Sequence, residues 1–284
     1  MSVLFDNGRA DPSDPLDPSG STLLPHFFGE ADRELFGVYH APNGIAARPS
    51  AVVLCYPGPR EYRVTHWAFR KLATLLAREG VHVLRFDYFG TGDSAGSSEE
   101  GSLAGWTADI ATAARQLADL SGVRRVSLVG MRLGAALAAA ASAKGLGVRD
   151  LVLWEPVLSG RTYLAQLAAV DRRARLALHA PQDQQPSADT VLGFPLSDAE
   201  RRAIASLDLL AAEFGRPERI LVVGADGDAD YDALQARAGA LAIATTVQIL
   251  NDPLLWGGRD EPGDTLLAHA APTAIAAFLA RRSP

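Results

Sequence analysis

The stretch Gly130-Met131-Arg132-Leu133-Gly134 joins an apolar strand pattern to an Ala-rich helix pattern. The two glycines permit a sharp turn in which strand and helix pack closely. The residue between them stands at a helix N-terminus, where a positive charge adds to that of the unpaired backbone amides. Arg132 is therefore suited to bind a carboxylate or a phosphate. An internal carboxylate, Glu61 or Glu155, would satisfy the guanidinium equally well, so both interpretations stay open.

Further groups able to move protons lie near the ends of predicted strands. His66 has an ordinary pKa near neutral pH, and Glu61 could fix its tautomer. The alternative is a histidine that only hydrogen-bonds the loop at a helix start. Glu155 directly precedes Pro156 and could act as acid, base or partner of Arg132, or else as a solvated carboxylate at a hinge. The candidate catalytic residues are thus Arg132, His66, Glu61 and Glu155.

Aromatic side chains at the same strand ends could line an apolar pocket for an acyl or aromatic substrate. Aromatic residues at strand ends are more often part of the core, which is the alternative for each of them. The candidates for substrate binding are Tyr56, Tyr62, Trp154 and Trp256, with Tyr163 from a neighbouring helix pattern.

Short apolar runs alternate with longer segments of helical period from Glu34 onward. Strands are predicted at 34–42, 51–57, 81–87, 124–130, 151–156, 219–228 and 245–250. Helices are predicted at 68–80, 103–120, 133–144, 231–241 and 272–281. The alternation predicts a mostly parallel sheet flanked by helices, with ligands at the carboxyl ends of the strands.

Two segments depart from this alternation. Residues 1–21 are rich in Asp, Pro, Gly and Ser and are predicted to form a disordered tail. Residues 22–284 are predicted to form one domain, within which about 157–214 forms an inserted helical cap. The cap prediction depends on helical patterns at 161–177 and 198–212, which follow one another without an intervening strand.

Three segments together resemble the α/β-hydrolase superfamily: CYPGPREY after one strand, FDYFGTGDS after the next, and VGMRLGAALA at a strand-to-helix turn. More narrowly, the chain is similar to a bacterial serine-aminopeptidase-like subgroup whose members accompany natural-product or exosortase-type gene clusters. The resemblance implies an α/β-hydrolase fold whose nucleophile is the serine of a G-x-S-x-G turn. Arg132 stands in that position, and a guanidinium cannot form an acyl intermediate.

The resemblance also locates the other two members of a catalytic triad. The acid follows the strand that opens RILVVGADGD (219–228), a strand-then-loop pattern in which Asp226 or Asp228 stands in the loop. The histidine follows the last strand, but the sequence there is NDPLLWGGRDEPGD, and His269 comes several residues late. Asp228 and His269 are therefore lower-ranked catalytic candidates.

Two residues are candidates for a displaced nucleophile. Ser94 lies in Gly92-Asp93-Ser94-Ala95-Gly96, a literal G-x-S-x-G match inside a glycine-rich loop, where a role in forming the turn is the simpler interpretation. Cys55 ends an apolar strand, where an unpaired cysteine is commonly a small core residue.

Composition excludes several classes of function. The chain of 284 residues carries 33 acidic and 27 basic residues, a formal charge of −6, without a basic cluster that would bind nucleic acid. It lacks the apolar runs of a signal peptide or membrane span, so we expect a cytoplasmic protein without membrane association. A single cysteine excludes an internal disulfide and disfavours a Cys-ligated metal, and no cofactor is expected.

These observations predict an enzyme that performs noncovalent acid–base chemistry, by hydrolysis, cyclisation or elimination, on a carboxylate-bearing or acyl-derived metabolite in a biosynthetic pathway. One alternative is a catalytically silent member that scaffolds a complex or binds a ligand. Another is a conventional esterase or peptidase-like hydrolase with a displaced nucleophile. The expected partner is a small molecule; the Arg172-Arg173 pair could also steer a carrier protein, and the oligomeric state, a dimer included, stays open.

Overall fold

The structure is a computed structural model that describes residues 22–43, 46–177, 190–225, 230–250 and 270–281. The predicted disordered tail, residues 1–21, lies outside the described residues. Within the described ranges, every helix is too short or too polar to span a lipid bilayer.

Eight strands form one central sheet. They are β1 (Leu23–Phe28), β2 (Leu35–His40), β3 (Ala51–Cys55), β4 (His82–Phe86), β5 (Ser127–Met131), β6 (Asp150–Trp154), β9 (Arg219–Gly224) and β10 (Ala244–Ile249). Their order across the sheet is β1-β2-β4-β3-β5-β6-β9-β10. The pairs β1–β2 and β2–β4 are antiparallel, and the remaining pairs are parallel. The mostly parallel sheet that the alternation predicts is confirmed.

The three central strands β3, β5 and β6 are buried along their whole length. Helices cover both faces of a parallel sheet, so its strands are continuous apolar runs instead of alternating patterns. This burial places the carboxyl ends of the three strands side by side at one edge of the core, where the residues that follow them meet.

In the described part of the chain, seven helices accompany the sheet. They are α1 (Pro59–Arg78), α2 (Leu103–Ser121), α3 (Leu133–Ala143), α4 (Gly160–Ala177), α5 (Asp198–Ala205), α6 (Tyr231–Ala240) and α7 (Ala270–Ala280). Helix α1 packs against α7, and α2 packs against α3. Between β6 and β9 the chain forms α4, a hairpin of β7 (Thr190–Val191) and β8 (Phe194–Pro195), and α5, with α4 packed on α5.

Four elements differ from the prediction. The hairpin of β7 and β8 lies between the two helical patterns of the predicted cap, where no strand was predicted. Strand β1 was not predicted, because LLPHFF contains Pro25 and lacks strict alternation, although an edge strand tolerates proline. Helix α5 ends at Ala205, earlier than predicted. Helix α1 begins at Pro59 instead of residue 68, since Gly58, at a φ of 107°, makes the turn and Pro59 occupies the first helical position.

Candidate functional site

Arg132 stands at a strained turn between β5 and α3, with φ of 53° and ψ of −120°. A Cβ atom on Gly130 would clash with the carbonyl oxygen of Gly134, and one on Gly134 would clash with that of Tyr56. The Arg132 amide donates to the carbonyl oxygen of Trp154 over 2.9 Å, which ties the turn to the end of β6. Close packing therefore imposes a backbone conformation that costs a residue other than glycine about 1–3 kcal/mol.

The Arg132 guanidinium lies in a network with α1 and α4. Its Nε atom lies 3.3 Å from Glu61 Oε1, and an Nη atom donates to Gln166 Oε1 over 2.8 Å. The guanidinium carbon lies 5.5 Å from the centre of the Tyr163 ring. The Tyr163 hydroxyl in turn donates to Glu61 Oε2 over 2.9 Å. We call Arg132, Glu61, Tyr163 and Gln166 the Arg132 cluster.

The charges of the Arg132 cluster are largely removed from water, since the side chains of Arg132 and Glu61 are only 11% and 4% exposed. Burial raises the pKa of Glu61, and the neighbouring Arg132 charge opposes that rise. Burial and the Glu61 charge both raise the pKa of the Tyr163 hydroxyl. Glu61, one of the two internal carboxylates considered from the sequence, thus forms an ion pair with Arg132.

Glu155 follows β6 and is the second strained residue at these strand ends, with a φ of 41° and a buried side chain. Its amide donates to the carbonyl oxygen of Val223 over 2.7 Å. The pKa of Tyr231, at the start of α6, responds to the charges of Glu155 and Arg132. Burial and the negative charge of Glu155 raise the pKa of Tyr231 to about 12, while Arg132 opposes the rise. The structure thus places Glu155, Arg132 and Tyr231 within electrostatic reach of one another.

Tyr231 was not identified from the sequence. It occupies the first position of the helix that follows β9, and the glycine that ends β9, Gly224, leaves room for its ring. A tyrosine at such a helix start is a weak signal, because the sequence does not show which strand end the ring will face.

His66 lies away from the Arg132 cluster. It lines a pocket of about 130 Å³ whose polar lining residues are Tyr56, Tyr62, His66, Arg85, Asp87 and Asp93; we call it the Arg85 pocket. Burial and the charges of Arg85 and Arg70 lower the pKa of His66. Glu61 bonds to Arg132 and Tyr163, and among the described residues His66 Nδ1 has no hydrogen-bond partner. The predicted pairing of Glu61 with His66 is wrong.

Glu61 and His66 separate because both belong to helix α1 and not to a loop. Successive helical residues point about 100° apart, whereas residues four apart share a face. Tyr62 and His66 therefore share the face toward the Arg85 pocket, and Glu61 turns toward Arg132.

The predicted aromatic residues have different surroundings. Tyr56 and Tyr62 line the Arg85 pocket, with ring centres 4.6 Å apart. Trp154 is fully buried and stacks on Phe69 at 6.0 Å, as a core residue does. Tyr163 belongs to the Arg132 cluster.

The two displaced nucleophile candidates occupy structural positions. Cys55 is fully buried within β3, and burial raises the pKa of its thiol well above the ordinary value, which disfavours the reactive thiolate. The Ser94 hydroxyl donates to the carbonyl oxygen of Asp87 over 2.6 Å and accepts from the amide of Phe36 over 2.8 Å. Cys55 is thus a core residue, and the Ser94 hydroxyl is occupied by hydrogen bonds that hold the local structure.

The remaining candidates, Asp226, Asp228, Trp256 and His269, lie outside the described residues. They belong to the segments after β9 and β10, and their roles stay predictions from the sequence.

Known structures share this architecture along most of the chain. Est1E from Butyrivibrio proteoclasticus, solved with ferulic acid bound, is 17% identical, with a TM-score of 0.58 over 90% of this chain and 96% of its own. The esterase Pf2001 of Pyrococcus furiosus is 15% identical, with a TM-score of 0.60 over 96% of each chain. Proline iminopeptidase of Mycobacterium smegmatis is 13% identical, with a TM-score of 0.58 over 90% of this chain and 97% of its own. At such identities the likeness shows the fold, and the predicted α/β-hydrolase fold is confirmed.

Sequence comparison assigns the family. No curated protein matches the chain in sequence. Residues 47–214 match the family described as Serine aminopeptidase, S33 (Hydrolase_4). That span begins before β3 and ends before β9, so it includes the turn at Arg132, helix α1 and the segment from α4 to α5. The chain therefore belongs to the serine aminopeptidase S33 family of α/β-hydrolase-fold proteins.

Proposed function

We propose that the chain is an esterase- or peptidase-like enzyme that works without covalent serine catalysis. Its reaction is noncovalent acid–base chemistry on a small carboxylate-bearing or acyl-derived metabolite of a biosynthetic pathway. The observation that carries this proposal is the pair of strained charged residues, Arg132 and Glu155, at the ends of the adjacent strands β5 and β6.

Backbone strain of this kind costs about 1–3 kcal/mol at each residue and persists only where the surroundings impose it. The strained positions at Arg132 and Glu155 display their side chains where an open parallel sheet places its ligands. Buried ionisable groups with perturbed pKa values, Glu61 and Tyr231 among them, surround these positions. Such a combination is typical of a working site.

Each group then has a distinct role. Arg132 supplies a fixed positive charge that stabilises a carboxylate or a developing oxyanion on the substrate. Glu61, ion-paired to Arg132 and bonded to Tyr163, holds the guanidinium in place and is a positioning residue. Glu155 is the group that takes or returns a proton, and burial near Tyr231 keeps water from competing with it.

A second candidate function is a catalytically silent protein that binds a ligand or scaffolds a complex. The Arg132 cluster favours it, because Glu61 and Gln166 already satisfy the guanidinium and attach α4 to the core. A guanidinium that is already paired within the protein binds an anionic substrate more weakly.

Three variants, R132Q, E155Q and R219Q, separate the two functions. Arg219 is the matched control, since its side chain is only 20% exposed and its 2.8 Å ion pair with Asp150 lies at the amino ends of β9 and β6, at the opposite end of these strands from the Arg132 cluster. Each variant is assayed on a panel of chromogenic esters, thioesters, amides and lactones. We expect R132Q and E155Q to lower turnover by about 100-fold or more, while R219Q retains it.

Intact-protein mass spectrometry during turnover gives the second readout, and we expect no acyl adduct. An acyl adduct would instead identify a conventional hydrolase with a displaced nucleophile. Equal losses of turnover in R132Q and R219Q, with equal losses of stability, would assign Arg132 a structural role, the attachment of α4 to the core. Binding of panel compounds without turnover by the parent protein would favour the silent function.

A further inference from the structure

The Arg85 pocket is separate from the Arg132 cluster, because Tyr62 and His66 reach it from the other side of helix α1. It lies at the carboxyl end of β4, between that strand, β2 and the first turns of α1. Its volume is about 130 Å³. A cavity of about 150 Å³ holds one benzene molecule, so the Arg85 pocket accommodates a ligand of about six non-hydrogen atoms.

Arg85 brings a buried positive charge to this pocket. The residue is 8% exposed, and its guanidinium donates to His40 Nε2 over 2.9 Å and to the Tyr56 hydroxyl over 3.2 Å. Neither acceptor is a carboxylate, and within the described part of the chain no ion pair involves Arg85. Burial raises the pKa of Asp87, and the charge of Arg85 opposes that rise, but no ion pair joins the two side chains among the described residues. A ligand carboxylate would therefore give the guanidinium a direct anionic partner.

Negative charge lies on the same pocket but does not pair with Arg85. Asp87 is two residues beyond Arg85 and is buried, and its Oδ2 atom accepts from the amide of Asp93 over 3.0 Å. Asp93 is exposed and lines the pocket too. Opposite charges, those of Arg85 and of the two aspartates, therefore line the same pocket.

The remaining lining gives the pocket a polar and an apolar part. His66 Nδ1 is buried and has no hydrogen-bond partner among the described residues, and the Tyr62 hydroxyl bonds to Asp87. Phe36, Val38 and Phe86 supply an apolar surface. A ligand with two charged ends and a short apolar substituent matches all of these groups.

We propose that the Arg85 pocket binds a small zwitterion of the size of alanine. The ligand carboxylate contacts the Arg85 guanidinium, its ammonium lies toward Asp87 and Asp93, and its side chain packs on Val38. A simple anion would meet Asp87 and Asp93 without compensation, and a simple cation would meet Arg85. Each would therefore bind more weakly than a molecule that carries both charges.

Isothermal titration calorimetry on the full chain tests the proposal with four probes: L-alanine, acetate, ethylammonium and glycerol. We expect saturable binding of L-alanine with a Kd of about 1 mM or lower, and binding of the other three that is about tenfold weaker or more. Acetate binding as tightly as L-alanine would show that the ammonium is not recognised and would overturn the proposal. Preferential binding of glycerol or ethylammonium, or no saturation by L-alanine, would overturn it as well.

Variants of the pocket residues locate the site. R85Q and D87N should each weaken L-alanine binding by about tenfold or more, because each removes one charged contact. The control R237Q alters an arginine of α6, at the other end of the sheet, and should leave binding unchanged. Should R85Q fail to fold, V38F fills the apolar part of the pocket and should abolish binding. L-alanine binding that survives V38F and D87N, or that R237Q weakens equally, would contradict this assignment.

Discussion

Replacing Arg132 with glutamine should destabilise the folded chain by about 3 kcal/mol. Breaking a buried ion pair by removing one partner costs about 3–5 kcal/mol, because the remaining charge stays buried without compensation. The lower end applies, since Glu61 keeps its hydrogen bond from the Tyr163 hydroxyl and the charge of Arg60 also acts on it.

A double-mutant cycle isolates the interaction between the two residues. E61Q, R132Q and the double variant are unfolded in urea, and the free energy of unfolding is obtained from each curve. E61Q should cost less than R132Q, because burial already raises the pKa of Glu61, and the Arg132 guanidinium, 11% exposed, keeps its hydrogen bond to Gln166. The double variant leaves no isolated charge, so the coupling energy should be about 2 kcal/mol.

The matched control is the pair Arg237–Glu213, whose nitrogen and oxygen atoms lie 2.9 Å apart. The Glu213 side chain is 69% exposed, so the same cycle there should give well under about 1 kcal/mol. A coupling energy below about 0.5 kcal/mol for Arg132 and Glu61 would refute the assignment of a compensated buried pair.

The pH dependence of stability checks the same assignment. Burial raises the pKa of Glu61, so the folded state holds its proton at pH values where the unfolded state has released it. This group therefore lowers stability as pH rises from the ordinary carboxylate pKa through the raised value. E61Q does not titrate, and its unfolding free energy should lack that decline; an unchanged slope would contradict the raised pKa.

Three further outcomes can be measured directly. R132G should be more stable than R132A by about 1 kcal/mol in urea unfolding, because both lack the guanidinium and only glycine accepts the positive φ without strain; equal stabilities would refute backbone strain. His66 should titrate below its ordinary pKa in NMR spectra, and R85Q should raise that pKa, since Arg85 disfavours the imidazolium. An unshifted titration in R85Q would refute that charge effect. The Cys55 thiol should resist a thiol reagent until the chain is unfolded, and fast labelling of the native protein would refute its burial.

The central part of the fold could be predicted from the sequence because it depends on continuous apolar runs. The segments of β3, β5 and β6 are apolar throughout, and the glycines around Arg132 mark the turn after β5. A continuous apolar run indicates a strand buried on both faces, and paired glycines indicate a turn in which strand and helix approach closely. Hence the position of Arg132 at a strand end was predictable, although its partner was not.

The side-chain pairing could not be predicted because it depends on one helix start. Pro59, and not a residue after His66, opens α1. That difference turns Glu61 and Tyr62 from loop neighbours into helical residues about 100° apart, so one reaches Arg132 and the other reaches the Arg85 pocket. The Gly58-Pro59 pair and the acidic residue in the first turn were the available signal.

A single substitution at position 132 would not give this chain a hydrolase-like turn, because Arg132 and Glu61 are paired. A serine at position 132 would restore a G-x-S-x-G turn on the same strained backbone, but it would leave Glu61 buried without its ion-pair partner. The carboxyl group would then take up a proton or draw in water, and either change alters the charge beside the new hydroxyl. A hydrolase-like turn here requires changes at both 132 and 61. The fold fixes the backbone of the turn, whereas the Arg132 cluster sets the charges around it.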